Sequence, residues 1–535
     1  MSKKPKIDER EVAVIDFETD PFLFGRVPAP FACGVLWRGI YAEFWGPECW
    51  RAAAEYLHSI PVPLVVYAHN GGKFDFYFMW PVLENPVRLI NNRIVSVHLG
   101  MHELRDSWAI MPFPLASYKK TKIDYRKFEV EQRECHKEEI LRYLRDDCTD
   151  LKELVDAFVA RFGFKLTIGG TAMSELERLH PQEHMEEAHD KRFRPFYFGG
   201  RVQCFDSGIL KGKWKVYDVN SMYPAVMASF DHPIGVRYVR VDSPRLTDAG
   251  WLAGYPGRMY FAEIEGIHNR ALASRDAAGL RFTGSEGTDV YQVVSHELRA
   301  ALESGAIEVT HVRYALIPRR VQRFEQFVDT FTAEKRDAKK RGDRINELFA
   351  KYTVNSAYGK FGQNPDNFKE YYICIRGVNS SPGVEWNLEE SAPGWTLWSR
   401  PTDEKRFYDV AIAASITSAA RAVLMRGLAG ARRPIYCDTD SIICEGLRGV
   451  SIDDYSLGAW KLEAEGNRCA IAGKKLYALF NGREPVKWAS KGTKLAPSEI
   501  ERIAKGETVL WENDAPNFKL DGRVKFVARK SKRTV

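Results

Sequence analysis

The sequence predicts a mixed α/β protein of several domains, and three observations predict it. The chain has 535 residues, too many for one hydrophobic core; lengths of this order divide into two to four compact units. Residues 1–165 alternate strand-like runs, "EVAVIDF" and "PLVVYAHN", with a long helical pattern, "EEILRYLRDDCTDLKELVDAFVARF", as packed sheet and helix layers require. From "KWKVYDVNSMYPAVM" onward strands and loops recur, followed by a polar helical stretch over about 320–362 and an apolar helix over 410–428 that runs into "YCDTDSII".

Between these regions, residues 166–200 are less regular and end in "RPFYFGGRV", where Pro195 and the pair Gly199-Gly200 mark a turn that feeds a second unit. The polar helical stretch divides at "RGD", because Asp343 after Gly342 suits a helix N-cap. Residues 363–405 are rich in Gly, Pro, Ser, Asn and Trp and read as an inserted hairpin region.

With 45% hydrophobic and 28% charged residues, the chain reads as a soluble globular protein. The net charge of +7 is concentrated in "AEKRDAKKRGDR" and the tail "VKFVARKSKRTV", patterns that suit a polyanion partner or solvated helix faces. The nine cysteines are scattered without CxxC spacing, which suggests neither a disulfide framework nor a zinc site. The N-terminus has early acidic residues and no apolar signal core, and no uncharged apolar run approaches membrane-spanning length. A cytoplasmic protein, in a host cytoplasm if viral, with no membrane partner is expected.

The chemistry begins with paired acids. In "AVIDFETD", Asp16 and Glu18 lie two apart at the end of an apolar strand and share a face, with Phe17 opposite. "YAHNGGKFDFYF" delivers Asp75 with Asn70 and Phe74, and "YLRDDCTDLKEL" sets Tyr143 and Asp147 at i and i+4 on one helix face. Each stretch alone also suits an exposed strand end or a solvated helix. Together, four carboxylates can enclose two magnesium ions in a phosphodiester-cleaving arrangement, with Tyr143 orienting the water.

A second set starts at "VYDVNSMYP", where Asp218 ends a strand before a helix start that Pro224 favours. "YCDTDSII" places Asp438 and Asp440 two positions apart; read as one strand they share a face and repel unless something positive intervenes. Asp218 and Asp440 sharing two magnesium ions would resolve that repulsion. In "KYTVNSAYGKFG", Lys351, Asn355, Tyr358 and Gly359 fall along one helix side. Lysine grips phosphate, Tyr358 offers a stacking ring, and Gly359 permits close backbone approach. The preceding helix carries Lys335, Arg336, Lys339 and Lys340, for phosphate contacts or simple solvation.

These motifs in this order resemble family B DNA polymerases, most closely the protein-primed branch from bacteriophages and linear plasmids. The resemblance covers nearly the whole chain. "DFET", "HNGGKFD" (one residue longer than the common spacing) and "YLRDD" are similar to three exonuclease motifs; "DVNSMYP", "KYTVNSAYG" and "YCDTDS" are similar to polymerase motifs A, B and C. "YFGG" over 197–200 looks like the element that balances synthesis and degradation, and "KLY" over 475–477 like the primer-contacting KxY. "DSWAIMPF" resembles the single-strand-binding segment, with Trp108 where leucine is usual; an aromatic there can stack on a base.

The resemblance implies a ribonuclease-H-like 3′–5′ exonuclease domain (1–165), a linker with the YxGG motif (166–200) and a right-hand polymerase domain (201–535). Within the last it implies palm at about 201–262 and 406–490, a first terminal-protein-type insertion at about 263–318, fingers at about 319–362, a second insertion at about 363–405 and thumb at about 491–535. It implies metal binding by Asp218, the Val219 backbone and Asp440, supported by Asp438, and by Asp16, Glu18, Asp75 and Asp147. Tyr223 resembles the sugar-discriminating tyrosine, and either Lys335 or Lys339 the nucleotide-binding lysine. DNA contacts are implied for Thr19, Asn70, Phe74, Ser107, Trp108, Lys120, Tyr197, Gly199, Gly200, Ser221, Gly359, Lys475 and Tyr477. The implied cofactor is Mg2+, two per site, with Mn2+ able to substitute. The implied partners are primed template DNA, deoxynucleoside triphosphates and a terminal protein, acting on a monomer.

The expected function is therefore DNA-templated DNA synthesis with 3′–5′ proofreading, protein-primed and strand-displacing, on a phage or linear-plasmid genome. Alternatives are a relative that uses a nucleic-acid primer or none, and a two-metal 3′–5′ exonuclease whose second half only holds DNA. Intact Asp218, Asp438 and Asp440 argue against the latter, and the presence of both acid sets argues against a non-catalytic binding module.

Overall fold

The computed structural model describes residues 10–119, 121–183, 185–243, 258–276, 279–364, 369–375, 382–401 and 408–534. The N-terminal region is built on a ten-stranded sheet. Its centre is the strand Glu11–Thr19, paired parallel with Leu64–Ala68 and antiparallel with Pro30–Trp37. Period-two alternation sorts the central strand's side chains. Ala13, Ile15 and Phe17 join a core with the helix Cys49–Ser59. Val12 and Val14 join another with the helix Lys137–Phe162. Asp16 and Glu18 continue the second series and so face the long helix.

Strands from the inserted hairpin region at about 363–405 extend this sheet. Lys369–Ile375 pairs with Glu84–Ile90 and Trp395–Pro401, which pairs in turn with Asn387–Ala392. The Asn85 amide clamps the Ile373 backbone, donating to its carbonyl at 2.9 Å and accepting from its N–H at 3.1 Å. Glu370 lies between Arg88 and Arg400.

The second region is a seven-stranded antiparallel sheet. Its order is Glu484–Ser490, Leu476–Asn481, Trp460–Gly473, Gly208–Val219, Ser441–Cys444, Tyr436–Asp438 and Val202–Cys204. Behind it the helices Met222–Ser229, Glu325–Arg341, Arg344–Phe361 and Val410–Gly430 share one core. The division at "RGD" holds: the Asp343 carboxylate accepts the Asn346 N–H at 3.1 Å as an N-cap. Val410–Gly430 is long and apolar enough to cross a membrane by length and composition, but Arg421 and Arg426 interrupt it, so it is not an uncharged run, and 89% of its apolar window is buried inside the fold. Its Ala-rich faces pack on every side, as in the central helix of a large core.

A four-stranded sheet joins Tyr238–Asp242, Ile307–Pro318, Phe261–His268 and Asp289–Val294, with the helix Ser295–Glu303 against it. Its first strand in the chain, Tyr238–Asp242, pairs with Ile307–Pro318. The C-terminal part carries the helix Pro497–Ala504 and two short ribbons. One ribbon reaches the N-terminal region, where Phe518 stacks on Tyr77 at 5.2 Å. All nine cysteines are free thiols.

Candidate active sites

The first site lies between the central strand and the long helix. Carboxylate oxygens of Asp16, Glu18 and Asp147 all fall within 4.8 Å of one another, and buried Asp75 adds a fourth charge to the group. Asp75 opens a short helix behind Gly71–Lys73. That approach demands glycine at 72, where a Cβ would lie 1.7 Å from the Ile94 carbonyl oxygen. Burial, followed by repulsion among the acids, drives the Asp16 and Glu18 carboxyls well above the usual range. Burial also raises Asp75 to about 7 and Asp147 to about 6, the latter against an opposing hydrogen bond from Tyr143. The Tyr143 hydroxyl also lies 3.3 Å from that of Tyr125. Crowded carboxylates with raised pKa values are what a hard divalent cation, bound through oxygen, relieves. The donor set therefore fits such ions.

Around this site, Asn70 adopts a left-handed conformation (φ 67°) and accepts from Arg93 at 2.9 Å. Phe74 packs among Phe22, Phe78 and Phe518. Trp108 is part-exposed, with the Arg93 guanidinium 5.7 Å from its ring centre. Ser107, for which the resemblance implies a DNA contact, has a side chain that is 0% exposed. Its hydroxyl lies 2.9 Å from His69 Nδ1 and donates to the Ala68 carbonyl at 3.3 Å, so in this structure it braces the segment from inside. Thr19 is buried too, donating to the Asp20 carbonyl at 3.1 Å. Lys120 lies outside the described residues.

The second site lies on the seven-stranded sheet. The hairpin pairs Asp438 with Ser441, so Thr439 and Asp440 form a two-residue turn, Thr439 having φ 56°. Asp438 and Asp440 are therefore joined through a tight turn and not along one continuous strand, yet, beyond burial, the Asp438 charge still raises Asp440, the repulsion that their spacing suggested. Asp438 is satisfied locally, accepting from Lys475 Nζ, from the Tyr436 hydroxyl at 3.2 Å and from the Thr439 hydroxyl at 3.1 Å. Asp440 faces Asp218 instead. Its carbonyl accepts the Val219 N–H at 2.8 Å, and Asp218 is the register partner of Ser441. Burial, and next the Asp440 charge, raise Asp218 to about 6 against the pull of Lys487 and Lys461. Burial raises Asp440 as well. Val219 has a buried side chain, leaving its backbone as the part that can act as a ligand.

Tyr223, in the first turn of Met222–Ser229, stacks on Tyr358 of Arg344–Phe361. Ser221 precedes that turn in a left-handed conformation (φ 50°). Lys351 and Gly359 are exposed and Asn355 half-exposed on the same helix, and the space beyond Gly359 is open. Of the two candidate lysines, Lys335 is half-buried and within the field of Lys351 and Lys461, whereas Lys339 is exposed. Tyr477 packs against Tyr436 at 5.0 Å and is only 6% exposed. Its hydroxyl lies within the field of Asp438 and Asp218, and Lys475 beside it is part-exposed.

The YFGG segment packs between the two halves of this site. The Tyr197 carbonyl accepts from Arg275 at 2.9 Å. The carbonyls of Phe198 and Gly199 accept from Arg421 at 2.6 and 3.0 Å. A Cβ on Gly200 would come within 2.8 Å of the Thr439 side chain. Arg421, Glu297, Lys461, Glu463 and Lys487 carry no motif signal, because each is placed by strand register or helix packing rather than by local spacing.

Two carboxylate clusters lie on separate sheets, one of them beside a helical pair bearing lysines and a stacked tyrosine, an arrangement that suits chemistry on phosphate esters. Residues 111–441 match the family described as DNA polymerase type B, organellar and viral. The chain belongs to that family. It is 43% identical to the DNA-directed DNA polymerase of Enterobacteria phage PRD1, over 98% of each chain. It is 28% identical to the DNA polymerase of Bacillus phage phi29, over 54% of this chain and 49% of that one. The fold matches the structure of phi29 DNA polymerase complexed with primer-template DNA and incoming nucleotide substrates, with a TM-score of 0.70 at 18% identity over 98% of this chain and 100% of that one.

Proposed function

We propose that this protein is a DNA-templated DNA polymerase with a separate 3′–5′ proofreading exonuclease, acting on a phage or linear-plasmid genome in the host cytoplasm and starting from a terminal protein. The observation that carries the reading is the pair of independent acid clusters, Asp218 with Asp440 and Asp16 with Glu18, Asp75 and Asp147. At each, the carboxylates and, beside Asp218, the Val219 carbonyl would hold magnesium, with manganese as a substitute. Such ions, when bound, supply charge stabilisation to attacking and leaving oxygens.

The chain's own groups do the rest. Lys335 and Lys351 grip the triphosphate, Lys335 being the better-placed candidate because burial strengthens its field. Tyr223, held flat by Tyr358, forms the floor under the sugar. Lys475 neutralises Asp438 and steadies the turn that aims Asp440. In the exonuclease, Tyr143 orients the attacking water beside Asp147, and Asn70, Phe74 and Trp108 hold the single-stranded 3′ end. Exposed Gly359 lets DNA approach the helix backbone, and YFGG, tied to the Thr439 turn, relays between the sites.

The test is primer extension and single-strand degradation by the purified chain with magnesium. Asp440→Ala should abolish extension and keep degradation; Asp16→Ala should do the reverse, each by about a thousandfold or more. Extension that survives Asp440→Ala would sink the reading. Covalent nucleotide attachment to a hydroxyl of a candidate terminal protein tests the priming mode.

A further inference from the structure

We infer that Lys461 is a further phosphate-gripping residue of the polymerising site, taking the triphosphate of the incoming nucleotide from the palm side. The inference rests on the polymerase reading above and extends it to a residue outside every motif. Lys461 and Asp218 are direct register partners on adjacent antiparallel strands. Such partners project from the same face, with Cβ atoms roughly 5 Å apart. On its other side Asp218 is paired with Ser441, next to Asp440. Lys461 therefore stands in the same cross-strand row as Asp218 and Ser441, one residue from the turn that carries Asp440.

Its ammonium is 3.3 Å from Glu463, which also holds Lys487, and its side chain is 34% exposed, so it is tethered yet open to a ligand. Electrostatically it links both walls of the site. Its charge acts on Asp218 and Lys487 below and on Lys335 of the helix above. Lys335 in turn feels Lys351. Lysines gathered from two walls repel one another until a polyanion lies among them. A triphosphate whose α-phosphate sits at Asp218 and Asp440 and whose tail runs toward Lys335 has the charge and the direction to do this. Glu463, paired with both Lys461 and Lys487, is the positioning residue.

The experiment is single-nucleotide incorporation by the full chain on a primed template, comparing Lys461→Ala, Lys461→Gln and Lys461→Arg. KM for the nucleotide should rise about tenfold or more in Ala and Gln and stay within about threefold in Arg. kcat, primed-template affinity and single-strand degradation should hardly change. If Ala lowers the melting temperature, the Gln variant, close in length to lysine, carries the comparison. An unchanged nucleotide KM overturns the inference, as does a loss confined to primed-template affinity, which would assign Lys461 to the primer strand. A wild-type chain that extends no primer would overturn the polymerase reading itself.

Discussion

Tyr223 and Tyr358 lie face to face, ring centroids 3.7 Å apart and planes inclined by 11°. One belongs to the helix that follows Asp218 and the other to the lysine-bearing helix opposite, so a single stacked pair joins the two walls of the nucleotide site. Aromatic pairs of this kind contribute roughly 0.5–1.5 kcal/mol beyond area burial. Tyr358→Ala should therefore raise the nucleotide KM roughly two- to tenfold, and Tyr358→Phe should raise it much less. Steady-state incorporation measures both; equal effects would show that stacking is not what positions Tyr223.

Gly200 meets the Thr439 side chain so closely that an added Cβ would sit 2.8 Å from it. Because Thr439 precedes Asp440 in the turn, Gly200→Ala should push the turn and slow extension about tenfold or more, with single-strand degradation retained. Adding Thr439→Ala should restore part of the rate. No recovery in the double variant would locate the defect elsewhere.

Arg421 and Glu297, each 2% exposed, form a bidentate pair at 2.6 and 2.8 Å. Removing one partner leaves a buried charge, at a cost of about 3–5 kcal/mol. Arg421→Met should lower the denaturation midpoint strongly, and Arg421→Met with Glu297→Met should be less destabilised than either single change. Additive losses in the cycle would contradict this.

Glu103 gives a pH signature. Burial alone would raise its carboxyl, but the Arg105 hydrogen bond and charge, with help from Ser96 and Arg10, outweigh burial and bring it down to about 2. Its folded pKa lies below the unfolded value, so the pair stabilises the fold above about pH 4.5 and the contribution fades as pH falls toward 2. Glu103→Gln should cost on the order of 3 kcal/mol at pH 7. The gap from wild type should narrow on acidification, as followed by denaturant unfolding between pH 7 and 3. A gap that stays constant would remove the linkage.

Much of both sites was legible in the sequence, because their acids sit on elements whose periodicity is local. Alternation along "AVIDFETD" placed Asp16 and Glu18 on one face, and a helical repeat placed Tyr143 beside Asp147. Asp343 behaves as the cap its position after Gly342 suggests. The turn between Asp438 and Asp440 was not legible as a strand pattern: Thr439 takes a positive φ there, and no spacing rule reports that, although the two acids repel as their spacing suggested. The burial of Ser107 and Tyr477 was not legible, because motif position does not state burial.

By itself the sequence determined the elements, their order and the identity of the acids, since those depend on contacts within a few residues. Only the tertiary structure decided that Ser441 and Lys461 flank Asp218, that Lys369–Ile375 joins the sheet of Glu84–Ile90, and that Arg421 reaches Glu297 and the YFGG carbonyls. Each of those depends on register or packing between segments far apart in the chain. Distant strands and helices are brought into register by burying their apolar faces together, and neighbouring residues along the chain carry no record of that choice.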